Sequence, residues 1–112
     1  MHLVCHELPD ACIAAPTGRI DHASADGFLN ALQGLVSVLR DRPLILDFSG
    51  VDYISSAGLR ALMVVARQVR SGGGQVGMAN LQPLVREVFS IARFDLVVPC
   101  FDDVPAAVKG LS

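Results

Sequence analysis

The run Leu44-Ile45-Leu46-Asp47-Phe48 constrains this chain more than any other segment. It is apolar almost without interruption and shows no polar alternation. A run of that kind reads as a buried strand paired on both sides, inside a sheet that helices cover. What flanks it agrees. Upstream, Phe28, Leu32, Leu35, Val36 and Leu39 recur at helical spacing, with Asn30, Gln33 and Ser37 between them. That helix starts at His22-Ala23-Ser24-Ala25, with Asp21 or Ser24 as its cap, and ends before Pro43. Downstream, Ser49-Gly50 and Val51 to Ile54 lead to Ser55-Ser56-Ala57-Gly58 and a second helix. Its inner stripe is Leu59, Leu62, Met63, Ala66 and Val69. Arg60, Arg67 and Arg70 face outward, and Gly72-Gly73-Gly74 stops it.

The remaining segments extend the same alternation. Leu3 to Glu7 and Ala11 to Ala15, separated by Pro9-Asp10, predict a hairpin, with Pro16 at a strand end or an edge. Gln75 to Ala79 is a short strand. Pro83 opens a third helix with Leu84, Val85, Val88 and Phe89 inward. Leu96 to Phe101 predicts the last strand, and Asp102-Asp103 precede a short final helix. The order β-β-α-β-α-β-α-β-α predicts one α/β domain over residues 1–112. Its central sheet has about five strands, mostly parallel or mixed, with an N-terminal β-hairpin and about four helices.

Composition narrows the function. Nine basic and eleven acidic residues give a net charge of -2, which argues against a nucleic-acid partner. The N-terminus lacks the basic and apolar regions of a signal peptide. No apolar run approaches the ~18 residues of a membrane span, so no membrane insertion is expected. Cys5, Cys12 and Cys100 read as reduced thiols of a cytoplasmic protein.

Tests for chemistry remove most alternatives. The pattern of a phosphate loop is missing, and Gly72-Gly73-Gly74 sits at a helix C-terminus, where the dipole disfavours phosphate. Ser55-Ser56-Ala57-Gly58 has the strand-turn-helix setting of a nucleophile elbow without its Gly-x-Ser-x-Gly pattern. The histidines, His2, His6 and His22, give no evident triad. Cys5, His6 and Cys12 lack the paired spacing of a zinc site. No catalytic residue, metal or cofactor is expected, and the protein is read as a non-enzyme.

The turn itself remains. One serine at a helix start is accounted for as an N-cap. A second serine, beside the small residues Ala57 and Gly58, leaves an exposed hydroxyl at a strand end, where sites collect. A phosphate there adds about -1.5 to -2 charge. The helix N-terminus accommodates that charge, so the surface changes and the fold does not.

The chain resembles STAS domains of the anti-sigma factor antagonist type. Gly18-Arg19-Ile20-Asp21-His22-Ala23-Ser24-Ala25 is similar to the segment before that family's first helix. Leu44 to Val51 is similar to its central strand, and Tyr53-Ile54-Ser55-Ser56-Ala57-Gly58-Leu59-Arg60 to its signature turn. Gly73-Gly74 and Leu81 to Phe89 are similar to its later part. The resemblance implies the STAS fold and a partner switch. The unmodified domain binds a kinase-type anti-sigma factor of the histidine-kinase-like ATPase class. Serine phosphorylation ends that binding, and a PP2C-type phosphatase restores it. The implied partner-binding residues are Asp21, His22, Ser55, Ser56, Ala57, Gly58, Leu59 and Arg60; Asp47 matches a further acidic position, or is a strand-end residue. The family's acceptor hydroxyl usually directly precedes the glycine, where this chain has Ala57. Ser56 is therefore the first candidate for phosphorylation and Ser55 the second. Other readings are an unregulated STAS binding module, a stand-alone STAS subunit of a lipid-transporting ATP-binding-cassette system, and a nucleotide sensor.

Overall fold

The computed structural model describes residues 2–111; Met1 and Ser112, the ends of the expected 1–112 domain, lie outside them. The hairpin forms from β1 (His2–Leu8) and β2 (Ala11–Ile20), paired antiparallel along their length. There follow α1 (Ala25–Val36), β3 (Leu44–Asp47), β4 (Gly50–Ile54), α2 (Ser56–Ser71), β5 (Val76–Ala79) and α3 (Pro83–Ile91). A single 3-10 turn at Phe94–Leu96 precedes β6 (Cys100–Phe101) and α4 (Val104–Leu111). The sheet runs β1-β2-β3-β5-β6, with β4 also paired to β2. All pairings except β1 with β2 are parallel.

The mixed α/β sheet and four helices match the expected class. The strand count is six where about five were expected, and β2 accounts for the additional one. It does not stop at Ala15. One part of its second edge, Cys12 to Ala14, pairs with β3, and another, Thr17 to Ile20, pairs with β4. Pro16 is buried between the two parts, at the junction where the parallel partner changes and a missing N–H is tolerated. Gly18, with φ of +95°, sits at the register shift in the β4 ladder, a backbone conformation that glycine adopts without strain.

Other boundaries shift for local reasons. Helix α1 begins at Ala25, after a turn at residues 22–24, and ends at Val36. Arg40 and Asp41 then take left-handed φ values of 53° and 68°, turning the chain before Pro43 is reached. The expected strand from Leu96 shrinks to Cys100–Phe101, because Leu96 is 78% exposed and belongs to the 3-10 turn. In α3, Val85 and Phe89 are buried, whereas Leu84, expected inward, is exposed. The glycine stop after α2 is as expected: Gly73 has φ of +82°, and Gly74 N–H donates to the Val69 carbonyl at 2.9 Å.

Strand β3 carries core on both faces. Leu44 and Leu46 join the larger cluster with Phe28, Leu32, Leu62, Val65 and Phe89, while Ile45 joins the smaller one with Ala107 and Leu111 of α4. This explains the uninterrupted apolar run, since consecutive strand residues point to opposite faces. Phe48 lies between Phe28 and Phe89, at ring centroid distances of 6.4 and 6.2 Å.

Arg42 ties the far end of the sheet to the turn that follows α1. Its guanidinium donates to the carbonyls of Leu39 at 2.8 Å, Val38 at 2.7 Å and Leu8 at 3.0 Å, and pairs with the Glu7 carboxylate at 2.9 Å.

Candidate functional site

The parallel ladder that ends β2 and β4 creates the site. Ile20 pairs with Ile54, so the segments leaving the two strands, Asp21 onward and Ser55 onward, emerge side by side. The Ser55 N–H continues the ladder by donating to the Ile20 carbonyl at 2.8 Å.

The two adjacent serines have different roles there. Ser55 has extended φ and ψ of -90° and 172° and caps α2. Its Oγ accepts the Gly58 N–H at 3.2 Å, and its carbonyl accepts the Leu59 N–H at 3.0 Å. This satisfies one of the donors that every helix start leaves open. Ser55 is half-buried. Ser56 is the first helical residue, is exposed, and its hydroxyl bonds to no described residue. The more accessible hydroxyl is therefore on Ser56.

Gly58 is buried and presents no side chain to the surface. A Cβ there would lie 2.7 Å from Ile20 Cγ2, 2.8 Å from Ile54 Cγ1 and 3.2 Å from the Ile20 carbonyl oxygen. The glycine lets α2 approach both strands closely. Gly58→Ala is expected to destabilise the domain by about 1–3 kcal/mol, since overpacking outweighs alanine's better helix propensity. Urea unfolding checks this. Equal or greater stability would mean that the turn relaxes freely. Leu59 is half-buried against the core, Ala57 is half-buried, and Arg60 is exposed.

Across the turn, Asp21 and Ser24 are bonded to each other. The Asp21 N–H donates to Ser24 Oγ at 2.9 Å, and the Ser24 N–H donates to Asp21 Oδ1 at 3.0 Å. The Ser24 backbone N–H, then the Ser24 hydroxyl, hold the Asp21 carboxyl below the usual carboxylate range. Of the two cap candidates, Ser24 stands at the N-cap position of α1 without a side-chain cap bond, and Asp21 braces the turn ahead of it; Asp21 stays ionised at neutral pH.

Between the N-terminal ends of α1 and α2 lies a groove of about 210 Å³. His22, Asp26 and Arg60 are its exposed groups, and Ala25, Leu29, Ala57, Ala61 and Val64 are buried or half-buried around it. It is smaller than the roughly 300–1,000 Å³ of small-molecule sites, and its size suits an inserted side chain. Three expected residues, His22, Ala57 and Arg60, line it together. Ala25, Asp26, Leu29, Ala61 and Val64 were not foreseen, because their grouping depends on how α1 packs on α2. A depression of similar volume lies at the other end of these helices, lined by Arg40, Asp41, Gly72 and Gly74 among others, and contains no residue of the turn.

Two further residues resolve. Asp47 accepts the Ser49 N–H at 3.0 Å and the Asn80 Nδ2–H at 3.1 Å, the bonding of a strand-end residue. Arg19 stacks over the Tyr53 ring at 4.2 Å, a contact set by their register across β2 and β4. No signal in the sequence announced it.

Comparison with known proteins follows this geometry. The sequence profile described as the STAS domain matches residues 2–107. A Bordetella bronchiseptica protein, BtrV, provisionally described as an anti-sigma factor antagonist, is 36% identical over 107 residues. The match covers 96% of this chain and 91% of that protein. The crystal structure of an anti-sigma factor antagonist from Mycobacterium paratuberculosis superposes with a TM-score of 0.88 at 19% identity, covering 98% of this chain and 92% of that one. One from Thermotoga maritima superposes with a TM-score of 0.89 at 19% identity, covering 97% and 93%. These two likenesses concern the fold.

Proposed function

This chain belongs to the STAS domain family, and from that premise we propose that it is an anti-sigma factor antagonist in a partner-switching pathway. In its unmodified form it binds a kinase-type anti-sigma factor of the histidine-kinase-like ATPase class. The kinase transfers a phosphate to Ser56 and is thereby released; a PP2C-type phosphatase resets the domain. The role is regulatory and non-catalytic, and the nucleotide belongs to the partner.

The observation that carries this reading is the division of labour between the two serines. Ser55 is engaged in capping, and Ser56 offers an exposed hydroxyl on the first turn of α2. The neighbouring groove supplies a docking feature with Asp26, Arg60 and His22 as its polar groups. Asp21, His22, Ala57 and Arg60 form the proposed contact surface; Gly58 and Leu59 shape it from beneath.

Local electrostatics make the modification compatible with the fold. A phosphate on Ser56 lies at the positive end of α2. It also stands four residues before Arg60, the favourable acid-to-base order along a helix. That pairing draws the Arg60 charge away from the groove while the added charge repels an acidic partner.

The test is incubation of the full chain with the ATPase partner and ATP, followed by mass mapping. One phosphate is expected on Ser56, retained in Ser55→Ala and lost in Ser56→Ala. Modification of Ser55 alone, or of neither serine by a kinase active on another antagonist, would overturn the assignment.

A further inference from the structure

The turn leaves the three cysteines unused. Cys100 is half-buried against the larger core cluster and accounted for by packing. Cys5 and Cys12 differ, because they form a pair. Cys5 is exposed on β1, Cys12 is fully buried in β2, and their sulfurs are 3.6 Å apart. The antiparallel register sets this: Cys5 lies opposite Ala14 and Cys12 opposite Glu7. The two thiols are thus diagonal neighbours on one face of the hairpin. His6, adjacent in the strand, points to the other face.

We infer that Cys5 and Cys12 are a redox site, closed to an intramolecular disulfide by a peroxide-class oxidant. The sulfurs must approach from 3.6 Å to about 2.05 Å. Strand β1 permits this, since it is the sheet edge and pairs only with β2. In the first step the exposed Cys5 thiol reduces hydrogen peroxide, giving a sulfenic acid and water. In the second, Cys12 sulfur attacks the Cys5 sulfur. The sulfenic hydroxyl leaves with the Cys12 proton as a second water, and the S–S bond forms. Two thiols lose two electrons and two protons, and the peroxide takes up both.

The order of steps follows from the surroundings. Burial, then the Cys5 thiol, push the Cys12 thiol up to about 11, and no oxidant reaches it through the core. Cys12 is therefore the resolving partner and Cys5 the contact with the oxidant. A dithiol reductant reverses the reaction by exchange.

The test uses the full chain treated with hydrogen peroxide under dilute conditions, then unfolded in denaturant and alkylated. Alkylatable thiols are expected to fall from three to one, with the loss of two hydrogen atoms from the intact mass. Cleavage after Glu7 separates the two cysteines in the reduced chain; in the oxidised chain the fragments stay joined until a dithiol is added. In Cys5→Ala, an exposed change, Cys12 is expected to remain an alkylatable thiol. Oxidation that ends as a Cys5 sulfinate, links two chains through Cys5, or takes Cys100 would overturn the assignment, as would a Cys12 that still disappears in Cys5→Ala.

Discussion

Ser56→Asp is expected to weaken binding of the kinase-type partner at least about 30-fold without loss of fold stability. A charge set against a docked surface of like sign costs several kcal/mol, and about 2 kcal/mol is already a factor of about 30 in affinity. The carboxylate sits at the first helical position of α2, where the helix dipole favours it. Its side chain replaces an exposed hydroxyl with no bond to a described residue, so nothing in the core is disturbed. Titration calorimetry measures the affinity, and thermal unfolding of the same sample measures stability. Retained affinity, or a melting temperature lowered by many degrees, would contradict a switch of surface charge. Ser55→Ala provides the contrast. It removes the cap and weakens the fold, yet leaves the proposed acceptor in place.

A larger effect on stability is expected from Phe48→Ala, about 3–5 kcal/mol. Phe48 is fully buried directly after β3, and its ring packs against both Phe28 of α1 and Phe89 of α3. Phe89 continues the contact to Phe94 at 5.1 Å. Truncation opens a cavity where elements from several parts of the chain meet, and the backbone N–H of Phe48, bonded to the Ala79 carbonyl at 2.9 Å, holds the site open against collapse. Against a typical total of 5–15 kcal/mol this is a large fraction, and the melting temperature is expected to fall by more than about 10 °C. Denaturant unfolding with an unchanged slope checks it. A loss below about 1 kcal/mol would show that the surrounding rings close the gap.

Much of this fold was legible because it is written locally. The stripes of α1 and α2, the apolar run of β3 and the glycines after α2 each carry their signal within a few residues. Strand β4 was not, because Gly50 to Ile54 is a strand only by pairing with the second half of β2, where Thr17 meets Gly50 and Ile20 meets Ile54 from far along the chain. The last strand was overread because Leu96, Val97 and Val98 form an apolar run that the 3-10 turn interrupts. At the site, the turn and its serines were visible as a pair. Their separation into a cap and a free hydroxyl depends on the extended backbone at Ser55 and on the Gly58 N–H, which spacing alone does not reveal. The groove was invisible for a similar reason. Small alanines on two helices become its wall only once the helices pack.

The bonds of Arg42 have a consequence for how the molecule opens. One side chain, 17% exposed, holds the carbonyls of Leu8, Val38 and Leu39 at once. Its pairing with the more exposed Glu7 adds little by itself, but the three carbonyls come from the hairpin tip and from the turn that follows α1. Neither can fray without releasing the other. The hairpin tip and the turn after α1 are therefore expected to exchange their amide hydrogens as one cooperative unit, rather than as two loose ends.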